Sequence, residues 1–178
     1  MPEEINRIMC DHSSTLLFSP TKAGVNNLLA EGFEATDAPY SIDKPGIFHC
    51  GDIMYDNSLY FSELSTKKST IITDLGLTKD KFILATVHRN DNTDNPAKLR
   101  AIFEAFGTIS SVKDQIIVLP LHPRTKKMLH QHFSEAFVND LLSNVNLKVI
   151  EPVSFLDMIA LEMNSKMILT DSGGVQKE

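Results

Sequence analysis

No run in this sequence is apolar for long enough to span a bilayer, and no block is polar enough to stay unfolded. Positive charge is short as well. Against 23 Asp and Glu stand 17 Lys and Arg, a net charge of -6, which argues against broad binding to nucleic acid but leaves room for a local cationic site for a phosphate ester. Cysteine is scarce: Cys10 and Cys50 have neither the CxxC spacing of a metal site nor the density of a disulfide framework, so a reducing cytoplasm is expected. No His/Cys/Asp cluster has metal-ligand spacing, and no metal is expected. The GxSxG elbow of a serine hydrolase is also missing, because Ser172 follows Asp171 and precedes two glycines. What is present is a globular composition: 178 residues, 42% hydrophobic and 22% charged, enough for one domain or the adjoining parts of two.

The stretch 168–178, ILTDSGGVQKE, carries the strongest local signal. An apolar run that breaks into Asp-Ser-Gly-Gly predicts a buried strand opening onto a tight turn, and the polar residues after it predict the first turn of a helix. Two glycines let a backbone approach an anion, which the free N–H groups at a helix start then hold. Ser-Gly-Gly also makes ordinary turns, so the pattern alone leaves both readings open. A chain that stops in the first turn of a helix is expected to be a piece of a longer protein.

The first eleven residues, MPEEINRIMCD, predict a helix with Pro2 early and Glu3 and Glu4 where the dipole favours them. Glu3 and Glu4 are either this helix start and nothing more, or an acid/base pair with Arg7 as counter-charge. Residues 15–18 predict a strand, 19–31 a helix stopped by Gly32, 47–50 a second strand, and the residues after Gly51-Asp52 a further helix. Residues 67–81, polar and broken by Gly76, are the expected hinge, between a lobe ending at 66 and one spanning 82–178. From Lys81 onward, apolar strands at 82–88, 116–122, 147–152 and 166–170 alternate with helices, among them one capped by Asn95-Pro96 and one opened by the box Ser154-x-x-Asp157. The helix from Arg124 to Ser143 is expected to break near Phe133-Ser134. Strands without polar alternation, separated by amphipathic helices, imply an α/β fold with a parallel sheet covered on both faces.

Polar residues gather where such a fold binds ligands. His88 with Arg89, His122, Glu151, and Asp171 with Ser172 each end a predicted strand, at the carboxyl edge where open parallel sheets hold small molecules. His130 and His132 fall near a helix end and are expected to be solvated or capping.

Three stretches, PEEINR (2–7), VHRNDNTDNPAKL (87–99) and LTDSGGVQKE (169–178), occur together with FSPT (18–21), Gly51-Asp52, HPRT (122–125) and Glu151-Pro152. In that order they resemble the non-hydrolysing UDP-N-acetylglucosamine 2-epimerases, over essentially the whole chain. The resemblance implies two Rossmann-like lobes of the GT-B-like kind, with this chain covering the end of the first, the hinge and most of the second. It implies interconversion of UDP-GlcNAc and UDP-ManNAc by elimination and re-addition of UDP, without metal or NAD. The sugar nucleotide would be the partner of a cytoplasmic, homodimeric whole protein supplying surface polysaccharide, and the isolated chain would be inactive. By the same resemblance Glu3 would do acid/base work at the sugar and His88 would stabilise departing UDP. Ser172, Gly173 and Gly174 would form the phosphate turn, Glu178 would hold the ribose hydroxyls, and Val153 and Met158 would grip the uracil. Two residues depart from the family pattern: Asp91 replaces a Glu, and Lys177 replaces an acid beside Glu178. The HRxxNTDN form is also similar to that of relatives acting on 2,3-diacetamido uronic acid sugars, which leaves the sugar open. A UDP-sugar glycosyltransferase of the same architecture and a non-catalytic nucleotide-sugar-binding module are the alternatives.

Overall fold

The computed structural model describes residues 2–112 and 115–176. The chain forms two compact units, Met1–Asp56 and Asn57–Glu178. In the first, α1 (Pro2–His12) opens with Glu3 and Glu4 in its first turn. A strand, β1 (Leu16–Ser19), leads to α2 (Lys22–Ala30), whose N-cap Thr21 accepts a hydrogen bond from Gly24 N at 3.0 Å. Gly32 follows the end of α2 at φ 98°, a left-handed conformation that suits glycine and turns the chain out of the helix. The next strand, β2 (Gly46–His49), pairs parallel with β1, from Leu16 opposite Gly46 to Ser19 opposite His49. The expected helix after Gly51-Asp52 is α3 (Ile53–Lys68), and the division between the units falls within it.

The second unit continues through α4 (Ile71–Asp74), β3 (Phe82–Thr86), α5 (Asn90–Thr93), α6 (Pro96–Val112), β4 (Ile116–Pro120), α7 (Pro123–His132), α8 (Glu135–Leu142), β5 (Leu147–Ile150), α9 (Phe155–Asn164) and β6 (Met167–Thr170). The break expected near Phe133-Ser134 is the join of α7 and α8, where Ser134 caps α8. Asn95 caps α6 through Oδ1, which accepts from Ala97 N at 3.0 Å and Lys98 N at 3.2 Å. Within the expected hinge, 67–81, the structure places the end of α3, then α4, and Leu77 buried against the sheet.

The four strands of this unit are all parallel, in the order β5-β4-β3-β6. Strand periodicity sends alternate residues to opposite faces. Ile83, Ala85, Ile117 and Leu119 pack with Leu99, Phe103, Phe106, Leu129 and Val138, so α6, α7 and α8 cover one face. Phe82, Leu84 and Val118 pack with Leu77 and Leu161 on the other, under α4 and α9. Phe82, Leu84, Ile117, Val118 and Leu119 have no measurable exposure, which explains why their strands read as unbroken apolar runs. No described helix is long and apolar enough to cross a membrane.

The order has one further consequence. From β3 the chain moves outward through β4 to β5, then returns to the opposite side of β3 as β6. β3 thus has β4 on one side and β6 on the other, and the crevice outside the carboxyl ends of β3 and β6 is where a doubly wound sheet can admit a ligand.

Candidate functional site

At that crevice, β3 delivers His88 and Arg89 and β6 delivers Asp171 and Ser172. The strands are locked in register there by a 2.6 Å hydrogen bond between the hydroxyls of Thr86 and Thr170. Beyond it the Asp171 carboxylate gathers the loop after β3. Oδ2 accepts from Arg89 N at 2.9 Å and from Asn92 Nδ2 at 3.0 Å, His88 N lies 3.1 Å from both oxygens, and His88 Nδ1 is 3.3 Å from Oδ1. Burial pushes the Asp171 carboxyl up, but the Asn92 amide, the N–H groups of Arg89 and His88 and the nearby His88 ring together hold it below the usual carboxylate range. Arg89 returns the contact through Nε, which donates to Asp171 O at 3.1 Å. Its guanidinium reaches the turn that follows: a Cβ added at Gly173 would sit 3.6 Å from Arg89 Nη2.

Beside His88 a cavity of about 320 Å³ opens, with mostly apolar walls. The end of β3 contributes Thr86, Val87 and His88, the β4 side contributes Pro120 and His122, and the segment into α9 contributes Pro152 to Phe155 and Met158. Val175 closes it from the turn after β6. His122 stands with its ring centroid 5.7 Å from that of His88. It also caps α7, its Nδ1 accepting from Arg124 N at 3.2 Å. The floor is fixed from behind: buried Thr125 donates its hydroxyl to the carbonyl of Val87.

Several residues singled out from the sequence therefore meet here. His88, Val153 and Met158 line one cavity, and Ser172, Gly173 and Gly174 form the turn between Asp171 and the cavity residue Val175. Ser172 N donates to Thr170 Oγ1 at 2.9 Å, and Ser172 Oγ lies 3.5 Å from Val175 N, which shapes that turn. Glu178, and with it Lys177, lies outside the described residues. Glu151 does not join the group, because its carboxylate pairs with Lys126 Nζ at 2.6 Å and lines a different cavity. Asp91, shorter than the usual Glu, is occupied locally by Lys98 Nζ at 2.6 Å.

Glu3 belongs to the other compact unit, exposed on α1. Arg7, its expected counter-charge, instead holds Glu4 at 2.9 Å, Glu31 at 2.9 Å and Asp11 at 2.7 Å. Hydrogen bonding from Arg7, and then its charge, lowers the pKa of Glu4. The paired acids thus divide: Glu4 joins the Arg7 network, which ties α1 to the end of α2 through Glu31, and Glu3 is left out of that network. Sequence reasoning passed over Asn92 and Phe155. The first could have been found from its place four residues after His88 in a loop rich in Asn and Asp, a spacing that turns an amide back toward the strand end. The second gave no signal beyond an apolar residue at a helix start.

The UDP-N-acetylglucosamine 2-epimerase family model matches residues 1–178, the whole chain. The chain belongs to that family. Among proteins similar to this epimerase-family chain, a UDP-N-acetylglucosamine 2-epimerase homolog of Methanococcus maripaludis is 46% identical over 179 residues, covering 100% of this chain and 45% of the relative. A UDP-2,3-diacetamido-2,3-dideoxy-D-glucuronate 2-epimerase of Pseudomonas aeruginosa is 42% identical, over 100% of this chain and 44% of its own. The crystal structure of Methanocaldococcus jannaschii UDP-GlcNAc 2-epimerase in complex with UDP-GlcNAc and UDP superposes with a TM-score of 0.80 at 40% identity, over 99% of this chain and 45% of that one. The epimerase-family chain thus spans less than half the length of these relatives. Its α/β fold, with Rossmann-like parallel sheets, is the fold it shares with them.

Proposed function

We propose that the whole protein, at the length of its relatives, is a UDP-HexNAc 2-epimerase and that this chain supplies its UDP site. The observation that carries the proposal is the crevice between β3 and β6, where His88, Arg89 and the Ser172-Gly173-Gly174 turn adjoin an apolar cavity that holds Val153 and Met158. A diphosphate needs cations and free backbone N–H groups, and a uracil needs a flat apolar slot, and the two requirements meet side by side here. The M. jannaschii relative, whose crystal structure is a complex with UDP-GlcNAc and UDP, supports the same ligand.

In the proposed reaction a base removes the C2 proton as the C1–O bond to UDP breaks, and the electron pair forms the C1–C2 double bond of a glycal. A proton is then delivered to the opposite face of C2, and UDP adds back at C1. His88 would act at the diphosphate, where charge grows as UDP departs, and Glu3 would act at the sugar. Glu178 would hold the ribose. The substrate is UDP-GlcNAc, supported by the M. jannaschii relative, or a related UDP-2-acetamido sugar, supported by the P. aeruginosa relative and by the HRNDNTDN stretch. The whole protein is proposed to work in the cytoplasm as a homodimer, without metal or redox cofactor.

Nuclear magnetic resonance of the products formed from UDP-GlcNAc by the whole protein tests this. Appearance of UDP-ManNAc is expected with the whole protein, and an unchanged C2 configuration with residues 1–178 alone, which span less than half the length of the relatives. Sugar transfer to an acceptor would assign the protein to the glycosyltransferases, and bound UDP-GlcNAc without turnover would leave a binding module.

A further inference from the structure

Asp171 makes contacts that neither phosphate binding nor strand termination requires. Its side chain, 13% exposed, meets His88 twice, at the backbone N–H and at Nδ1 of the ring, while Arg89 N and Asn92 Nδ2 occupy Oδ2. The carboxyl is held below its usual range by these donors, so at neutral pH it is ionised and can only accept. An acceptor 3.3 Å from Nδ1 is compatible with a proton on that nitrogen and repels the lone pair of the other tautomer.

We infer that Asp171 is a positioning residue for His88: it fixes the imidazole proton on Nδ1, so that Nε2 is the nitrogen offered to the diphosphate. The inference rests on the reading of His88 as the residue at the departing UDP, and it assigns the atom that acts. With Nδ1–H committed to Asp171, protonation and deprotonation occur at Nε2, on the far side of the ring. The protonated ring keeps Asp171 as counter-ion and donates from Nε2.

Asp171→Asn separates this role from a packing role. The amide oxygen is expected to take the place of Oδ2, which has three N–H donors, leaving the amide nitrogen toward His88 Nδ1. A donor there selects the opposite tautomer, with the proton on Nε2. Nitrogen-15 NMR of the imidazoles in this chain, recorded at about pH 8.5 where ordinary histidines are neutral, reads the tautomer directly, and the signals lost in His88→Gln identify His88 among the six histidines. The parent is expected to show a pyrrole-like Nδ1 and a pyridine-like Nε2, and Asp171→Asn the reverse. In the whole protein that variant is expected to lose turnover by roughly two to four orders of magnitude with a smaller change in KM. A parent His88 protonated on Nε2, or the same tautomer in both proteins, overturns the inference and leaves the epimerase proposal standing. Loss of the epimerase activity itself in the parent would instead strike that proposal. If Asp171→Asn does not fold, the parent spectrum alone decides.

Discussion

A histidine at the end of a parallel strand can serve as a turn residue, a cap or a reactive group, and the surroundings decide which. His122 is a cap, its Nδ1 engaged by Arg124 N. His88 caps nothing; its ring faces the cavity with Asp171 behind it. Charge on UDP grows as the C1–O bond breaks, so a donor aimed there stabilises the transition state more than the bound substrate. His88→Ala in the whole protein is therefore expected to lower kcat by roughly two to three orders of magnitude while UDP affinity changes far less. Steady-state kinetics beside calorimetry checks this, and unchanged turnover would remove His88 from the mechanism. Glu3 poses a different question, since its neighbour Glu4 already answers the structural need for an acid on α1 through Arg7. Glu3→Gln is expected to keep UDP binding and the fold but to stop exchange of the substrate C2 proton with solvent deuterium. Exchange at the parent rate would make Glu3 a helix-start residue only. At this scale His88 and the Ser-Gly-Gly turn stand out in the sequence because they fall at strand ends, whereas Val153 and Met158 are singled out by the family resemblance alone. Asp171 was visible as a strand-end acid, but the N–H groups of His88 and Arg89 and the Asn92 amide that bind it were not, because they come from a loop about eighty residues away.

The helices and strands of the second unit followed from periodicity, since a sheet buried on both faces leaves its strands apolar throughout and its helices striped. The short helices α4 and α5 did not, and each is held by distant partners rather than by propensity. Asn90–Thr93 reads as a turn; Asn92 binds Asp171, and fully buried Thr93 lies within 3.4 Å of Arg124 Nε. After α4, the carbonyl of Leu75 accepts from Lys148 Nζ at 2.7 Å. The box opening α9 was legible and does more than cap. Ser154 Oγ accepts from Asp157 N at 3.2 Å and donates to Asp157 Oδ2 at 2.7 Å, while Ser69, just after α3, donates to Asp157 Oδ1. Hydrogen bonds from Ser69 first, then Ser154, lower the pKa of Asp157. Its depressed value, like that of Asp171, means that the unfolded chain binds more protons between the two pKa values. The stabilisation is complete above about pH 4, the ordinary aspartate range, and is lost as pH falls through the folded values. Ser154→Ala is expected to cost about 1 kcal/mol in urea unfolding at pH 7 and to flatten the loss of stability below pH 4. A variant as stable as the parent at both pH values would show that the cap contributes nothing.

For the molecule as a whole, the informative fact is the strand order, which no single stretch of sequence contains. An α/β alternation predicts a parallel sheet; it does not say that β6 returns to the side of β3 away from β4. That return makes the crevice, and the crevice explains why residues 88 and 171 belong to one site. Glu151, at the end of an outer strand, was expected with them, yet β4 stands between β5 and β3 and its carboxylate turns to Lys126. The division into two compact units likewise puts Glu3 in one and His88 in the other, so the proposed acid/base and leaving-group roles fall to separate parts of the chain. Elimination and re-addition of UDP by the whole protein is tested most directly by the fate of the C2 hydrogen when it acts on UDP-GlcNAc in deuterium oxide. One deuterium is expected at C2 in the UDP-ManNAc formed, and progressively in the recovered UDP-GlcNAc. UDP-ManNAc that retains protium at C2 would contradict it.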